Sequence, residues 1–501
     1  MKRISKKFMM LSMAMMLTIL SFTYNFHLSY ATTPEPEQQQ VDQPSLWSVD
    51  DLQMLGIYDI VNPSMFSGFK RDATQKDMYI AGVKFYEKYT GEHVATNDVT
   101  SDPVALQNAV YKIFNIFFLD SDFVKTATRQ DVVDMMYRLM KAVEPELNDV
   151  TAENPSFDDA SDLSQLKPSV QYLVSKGLLK GSNNNLNLNK ACTREQLLVL
   201  LSRVYYFTKQ ESETAAKGAF WKVSGGKNTV YLLGSVHLAD SRIYPMNDDM
   251  LEAFDGSDVL AVEVNLLDIA EGQNYMQEKM FYQDGTTIDQ VISEELYTQY
   301  AKKMESFSIP KQMYDTLKPW SAAFTIQNLD AQANSDYSGG LGVDAYFMTK
   351  ANQIKPIIEI EGLKFQTDLL DGFSAELQEG FLVSVLAPPS EETPEDSETN
   401  TDEDEAKPTI VTTLDQILAT WITGDIEALD ALIALDVDAT DEFNTKFFFE
   451  RNEHMYQTVL EYLEDDTKQT YFVVVGAGHM ISDKGIVKLL QDKGYTVDQI
   501  K

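Results

Sequence analysis

From Trp221 onward the sequence alternates short apolar runs, rich in β-branched residues, with longer amphipathic ones, and that alternation confines the second half of the chain to an α/β fold. The runs Thr229–Leu233, Val259–Val264, Pro356–Ile360 and Thr470–Val475 are short enough to read as strands. Helical periodicity is expected around Asp248–Phe254, Leu296–Ser306, Trp320–Leu329, Asp344–Ala351, Thr413–Ile422, Phe447–Leu463 and Lys484–Asp492. The fold expected for residues 218–501 is therefore a mixed sheet flanked by helices. One stretch breaks the pattern: Ser390 to Ala406 holds nine Asp or Glu residues and no Lys or Arg. Self-repulsion and low hydrophobicity predict a disordered acidic insertion, residues 388–408, within this domain.

The whole chain has five histidines, and two of them share a setting. Leu232-Leu233-Gly234-Ser235-Val236-His237 and Val474-Val475-Gly476-Ala477-Gly478-His479 each place Gly-x-x-His directly after an apolar strand. In open α/β sheets, ligands bind outside the carboxyl ends of the strands, and a glycine there lets the chain turn sharply. A third run, Val259 to Asn265, places one carboxylate, Glu263, in otherwise apolar sequence. A buried carboxylate needs a cation, a hydrogen-bond donor or a metal beside it. Two histidines and a carboxylate suit a divalent metal with open positions, the arrangement that activates water in hydrolases. The alternative for each histidine is a packed, hydrogen-bonded residue at the end of a strand.

Taken in order, Gly234-Ser235-Val236-His237, Glu263, Lys318-Pro319-Trp320, Gly342-Val343-Asp344, Ile360-Glu361 with Gln366, Arg451-Asn452 and Val475-Gly476-Ala477-Gly478-His479 resemble the motifs of the TraB/PrgY/GumN family, to which Tiki-type proteases are similar. The resemblance covers nearly all of residues 218–501. It implies metal-dependent peptide cleavage, with His237, Glu263 and His479 as the catalytic or metal-binding set and manganese, cobalt or zinc as the metal. It also implies that Arg451 orients a carboxylate, of the substrate or of Glu263, by bidentate hydrogen bonding. Asp344 either caps a helix or lines the site. Gly234, Gly476, Asn452, Glu361 and Gln366 support the set. His454 falls outside the motifs and is expected at the surface, and His93 has no evident partner. No His-Glu-x-x-His occurs, which removes the ordinary zincin arrangement.

The first half reads differently. Lys2, Arg3, Lys6 and Lys7 precede an apolar run from Phe8 to Phe22 and a small-residue site at Ala31, the pattern of a secretory signal peptide over residues 1–31. Residues 32–44, rich in Pro, Glu and Gln, read as a disordered linker. Residues 45–210 are expected to be mainly α-helical, with an approximate repeat at Leu46–Thr90, Val104–Met140 and Phe157–Leu198. Thr128-Arg129-Gln130-Asp131 and Thr193-Arg194-Glu195-Gln196 occupy equivalent places, and Thr74-Gln75-Lys76-Asp77 lacks the arginine. These units resemble S-layer homology repeats, which implies binding of a secondary cell-wall polymer through arginine and an extracellular or wall-associated location in a Gram-positive-type bacterium. The alternative is a helical domain whose Thr-x-x-Asp/Gln segments only cap helices.

A net charge of −36 makes nucleic acid an improbable partner, since phosphate binding needs clustered Lys and Arg. The lone Cys192 excludes an intramolecular disulfide and a cysteine-based zinc site. After the leader no stretch is apolar for long enough to span a membrane. The expected function is a secreted, wall-associated, metal-dependent hydrolase acting on peptides. The alternatives are a peptide- or pheromone-binding module without turnover and a structural S-layer accessory protein.

Overall fold

The computed structural model describes residues 43–117, 122–147, 156–160, 166–334, 337–386, 409–433 and 441–501. The expected signal peptide, most of the linker and the acidic insertion lie outside the described residues. The chain divides into two compact units that meet at Ala215 and Ala216. Among the described residues no helix is long and apolar enough to cross a membrane.

The N-terminal unit contains helices α1 (Val49–Tyr58), α2 (Gln75–Thr90), α3 (Pro103–Phe114), α4 (Arg129–Val143), α5 (Pro168–Ser175) and α6 (Arg194–Glu211). Thr74, Thr128 and Thr193 start α2, α4 and α6, each with its side chain accepting from the backbone N–H three residues on, and the side chain there returning the bond. Two of the N–H groups that a helix start would leave unpaired are thereby satisfied at each site. The segments ahead of these threonines close a ring. Ala73 N–H donates to the Cys192 carbonyl (2.8 Å), Cys192 N–H to Ala127 (2.9 Å) and Ala127 N–H to Ala73 (2.8 Å). A second cycle runs one step outward in the opposite sense, from Gln75 to Lys125, Arg129 to Lys190 and Arg194 to Arg71. Three segments with matching backbone bonds thus meet in a ring, although their side chains differ. Cys192 is buried within this ring, and burial pushes its thiol up to about 12.

The C-terminal unit is built on one six-stranded sheet: β1 (Ala219–Ser224), β2 (Thr229–Ser235), β3 (Val259–Val262), β4 (Ile357–Glu359), β5 (Thr470–Gly476) and β6 (Thr496–Gln499), in the order β4-β3-β5-β2-β1-β6. The first four in that order run parallel, and β1 pairs antiparallel with both β2 and β6. From Tyr471 to Gly476 every residue of β5 is buried, as a central parallel strand covered on both faces requires. The helices are α7 (Asp248–Asp255), α8 (Ala270–Met280), α9 (Glu294–Ser306), α10 (Lys311–Tyr314), α11 (Pro319–Asn334), α12 (Val343–Ala351), α13 (Gly362–Asp371), α14 (Ala375–Leu386), α15 (Thr409–Thr423), α16 (Ile426–Ile433), α17 (Glu450–Glu464), α18 (Ala477–Met480) and α19 (Ile486–Lys493).

The expected mixed sheet with flanking helices is present, and its four expected strands are β2 to β5. Two strands escape the pattern. β1 contains Lys222 and lies outside the parallel set, and β6, Thr-Val-Asp-Gln, is a short polar edge strand. β3 ends at Val262, so Glu263 sits just beyond the strand rather than within it. β5 is made after the other parallel strands yet inserts between β2 and β3. That insertion aligns Ser235 with Gly476 and Val262 with Val474, bringing the carboxyl ends of three adjacent strands level.

Candidate active site

Gly476 ends β5, and the two histidines and Glu263 gather around it. A β-carbon at this position would lie 3.3 Å from His237 Nε2, 3.3 Å from Glu263 Oε1 and 3.6 Å from His479 Cδ2. All three side chains therefore lie within twice that distance of one another. The Gly476 N–H donates to Glu263 Oε1 at 2.6 Å. Glycine is needed here because any side chain would fill the space the three groups share.

His237 follows β2 and is held from behind. Its Nδ1 lies 2.6 Å from Asp344 Oδ2, with the two side chains 10% and 7% exposed. Asp344 can reach because Gly342 lets the start of α12 press onto the β2 turn: a β-carbon at position 342 would stand 2.3 Å from the His237 carbonyl oxygen. Val343 N–H donates to the Val236 carbonyl, fixing the same contact. Gly342 is the N-cap of α12, so Asp344 does not cap that helix and serves His237 instead. Burial pulls the imidazole down, but Asp344, assisted by Glu263, outweighs it and holds His237 above its ordinary value.

His479 is buried in α18, with its Nδ1 2.6 Å from Asn452 Oδ1. Asn452 Nδ2 donates to the Lys484 carbonyl, so the amide is oriented and its oxygen faces the imidazole. An amide oxygen only accepts, and therefore His479 carries its proton on Nδ1 and leaves Nε2 as a lone pair. Burial, reinforced by Arg451, pushes this imidazole well below its ordinary value, and it is neutral. Phe447 and Phe448 pack against the ring from a π-helical turn, Asn444–Phe449, that leads into α17.

Arg451, in the first turn of α17, is 2% exposed and links two carboxylates. Its Nη2 donates to Glu263 Oε2 (2.7 Å) and Glu361 Oε2 (2.7 Å), and its Nε to Glu361 Oε1 (2.8 Å). Gln366 Nε2 donates to the same two oxygens, Glu263 Oε2 and Glu361 Oε2, each at 2.9 Å. Of the two carboxylates that the motif left open, Arg451 thus holds Glu263, and with it Glu361. The Gly234 carbonyl accepts from Trp421 Nε1 at 2.7 Å, tying β2 to α15. Lys318 and Trp320 both donate to Asp371, away from the cluster. His454 is exposed and stacks on Phe365, and His93 is exposed as well.

The donor chemistry fits a divalent cation at the two imidazoles and not at Glu263. Each histidine has its Nδ1 engaged by an oxygen, the orientation that metal-binding histidines take, and His237 Nε2 faces the cluster. Glu263 instead accepts from Gly476, Arg451 and Gln366. Among the described residues no group of three or more His, Cys, Asp or Glu side chains is assembled as a metal site. The three side chains expected from the motifs thus lie around one space, with the third, Glu263, bonded to Arg451, Gln366 and the Gly476 amide.

A model of the TraB/PrgY/gumN family matches residues 219–499. The chain belongs to this family. It is also 30% identical over 66 residues to a protein named Metalloprotease TIKI homolog from Amphimedon queenslandica, covering 13% of each chain. A protein of the same name from Nematostella vectensis is 26% identical over 80 residues, 16% of this chain and 17% of that one. The chain thus spans less than a fifth of the length of these relatives. The family match ends near β1 and β6, so it takes in the whole sheet. Sequence reasoning did not foresee the Asn452–His479 bond or the π-helical turn. The adjacent Arg451-Asn452 pair in a helical stretch was the available signal, because consecutive helix positions point about 100° apart and serve two different partners.

The N-terminal unit holds a cavity of about 430 Å³ between repeat elements. Val132, Leu178 and Trp47 line its apolar side, and Arg129, Lys180 and Arg203 give it positive charge. The equivalent arginine of the next copy, Arg194, is engaged elsewhere: it donates to Asp77 and to the Ser64 and Ser67 carbonyls. Gln75 occupies the third equivalent place. Arg203 is paired with Asp51, whereas the Arg129 side chain, among the described residues, donates from Nε to the Leu186 carbonyl.

Proposed function

We propose that residues 216–501 form a metal-dependent hydrolase acting on peptides or related amide or ester bonds. The convergence of His237, His479 and Glu263 on the space left by Gly476 carries this reading. The name of the two relatives, metalloprotease, supports it. Manganese, cobalt or zinc, held by Nε2 of His237 and His479, would lower the pKa of water and polarise the scissile carbonyl. Asp344 and Asn452 hold the imidazoles in the tautomers that present Nε2. Arg451 and Gln366 hold Glu263 in place, with Oε1 facing the same space as His237. The test is cobalt binding by calorimetry, together with cleavage of a defined peptide mixture followed by mass spectrometry. His237→Ala and His479→Ala are expected to lose both. Unchanged metal content and cleavage in both variants would overturn the reading.

A rival reading is supported by the same pairing, because both oxygens of Glu263 are already engaged, one by the Gly476 amide and the other by Arg451 and Gln366. On that reading the site captures a peptide or pheromone without turnover. Recovery of a bound peptide intact, from protein free of metal by elemental analysis, would favour it.

For the N-terminal unit we propose attachment of an exported chain to an anionic secondary cell-wall polymer. A cationic cavity in a chain of net charge −36 supports this. Of the two arginines at the equivalent positions, Arg129 lines this cavity and Arg194 is bonded to Asp77, so we place the polymer at Arg129. Arg129→Ala should abolish sedimentation with wall preparations, and Arg194→Ala should not do so without also unfolding the unit. Continued binding by a folded Arg129→Ala protein would overturn the assignment.

A further inference from the structure

Ser235, the last residue of β2, is 3% exposed, and its hydroxyl has no hydrogen-bond partner among the described residues. An unmet buried hydroxyl costs folding energy, and natural proteins satisfy nearly all such groups. Where this one lies follows from the register. Ser235 is paired in parallel with Gly476, and residues opposite each other in a parallel pair send their side chains to the same face. The face in question is the one onto which Gly476 opens, where His237 Nε2 and Glu263 Oε1 stand. His237, two positions farther along the chain, also turns to that side.

The neighbouring polar groups are already engaged. The Gly234 carbonyl accepts from Trp421, the Val236 carbonyl from Val343, and the Gly476 N–H donates to Glu263. Ser235 is thus a donor left unused beside the space the histidines enclose. With glycine opposite, no side chain from β5 stands between that hydroxyl and the space.

We infer that Ser235 contacts the substrate, its hydroxyl donating to the oxygen of the carbonyl group that is attacked. This inference rests on the hydrolase reading above and adds a neutral donor to it. Negative charge grows on that oxygen as the tetrahedral adduct forms, and a fixed donor aimed at it stabilises the transition state more than the ground state. Ser235 neither holds the metal nor forms a bond to substrate.

The test compares full-length wild type with Ser235→Ala and Ser235→Thr in three measurements: thermal melting, cobalt affinity and cleavage of the peptide mixture. Removing an unpartnered hydroxyl should leave the melting temperature of Ser235→Ala unchanged or raise it. Cobalt affinity should stay within about two-fold. Cleavage should fall roughly 100- to 1,000-fold, mainly in kcat, the range seen for loss of one such donor. Ser235→Thr, which keeps a hydroxyl, should recover much of that loss. A structural serine would give the opposite signature, a lower melting temperature with kcat unchanged. Wild-type activity matched by Ser235→Ala would overturn this inference alone. Absence of cleavage by wild type would overturn the hydrolase reading and this inference with it.

Discussion

Arg451→Met is the sharpest test of how the candidate site is held together. The substitution keeps an unbranched apolar stem of similar reach and deletes the guanidinium that bonds to Glu263 and Glu361 at 2.7–2.8 Å. Both carboxylates stay behind, with side chains 9% and 0% exposed. Breaking a buried pair by removing one partner costs about 3–5 kcal/mol, because an uncompensated charge remains. For a unit of this size roughly 2 °C of melting temperature accompanies each kcal/mol, giving a fall of roughly 6–10 °C. Three of the four tryptophans, Trp221, Trp320 and Trp421, lie in the C-terminal unit, so tryptophan fluorescence of the full chain reports its melting. Arg451→Lys should recover only part of the loss, since an ammonium cannot reproduce the two-pronged contact with Glu361. Arg451→Met combined with Glu263→Gln and Glu361→Gln should be more stable than Arg451→Met alone, because no buried charge is then left unpaired. A melting temperature for Arg451→Met within about 2 °C of wild type, less than 1 kcal/mol on the same scale, would refute the reasoning.

Three further outcomes are expected. Gly476→Ala should fold, because a β-carbon 3.3 Å from two polar atoms requires shifts of only a few tenths of an ångström, yet lose at least about 10-fold in cobalt affinity by calorimetry. Asp344→Asn should weaken cobalt binding about 10- to 100-fold by releasing the orientation of His237, with a smaller change in melting temperature than Arg451→Met. Acid should act through His479. Its folded value is depressed, so the unfolded chain binds the proton first, and metal-free stability falls as pH drops below about 6.5. His237 works in the other direction, adding stability below about 6.5 that is lost as pH rises through its raised folded value. In melts run with chelator, the stability gap between His479→Gln and wild type should therefore shift in favour of the variant as pH falls from 7 to about 5.5.

How much of this was legible in the sequence depended on how local the signal was. Central strands announce themselves, since β2 and β5 are continuous apolar runs that only a sheet covered on both faces would bury. β6 carries Thr, Asp and Gln on an edge, and nothing in those four residues separates it from a loop. The gathering of His237, Glu263 and His479 was foreseen as a possibility from two Gly-x-x-His turns. Their order across the sheet was not, because pairing partners 213 residues apart leave no local trace. The part of Glu263 was left between alternatives. The motifs offered Arg451 as partner to a carboxylate of the substrate or of Glu263, and only the packing shows that it is Glu263, with Glu361 beside it. In the N-terminal half, the threonine caps at Thr128 and Thr193 were readable in the sequence, whereas the ring of backbone bonds joining the three segments was not.

The place of β5 in the sheet has a consequence for how the protein is made. β2 and β3 are synthesised early and have no direct contact, since the strand that belongs between them comes after β4 and many helices. Until it arrives, both have an unpaired edge in apolar sequence, the kind of surface that recruits other chains. The C-terminal unit therefore cannot mature progressively from its beginning. Its contacts have large sequence separations, which slows folding, and the same strand that closes the sheet delivers Gly476 and His479. The Gly476 amide and His479 are thus the last parts of the candidate site to be made, after the residues that hold His237 and Glu263.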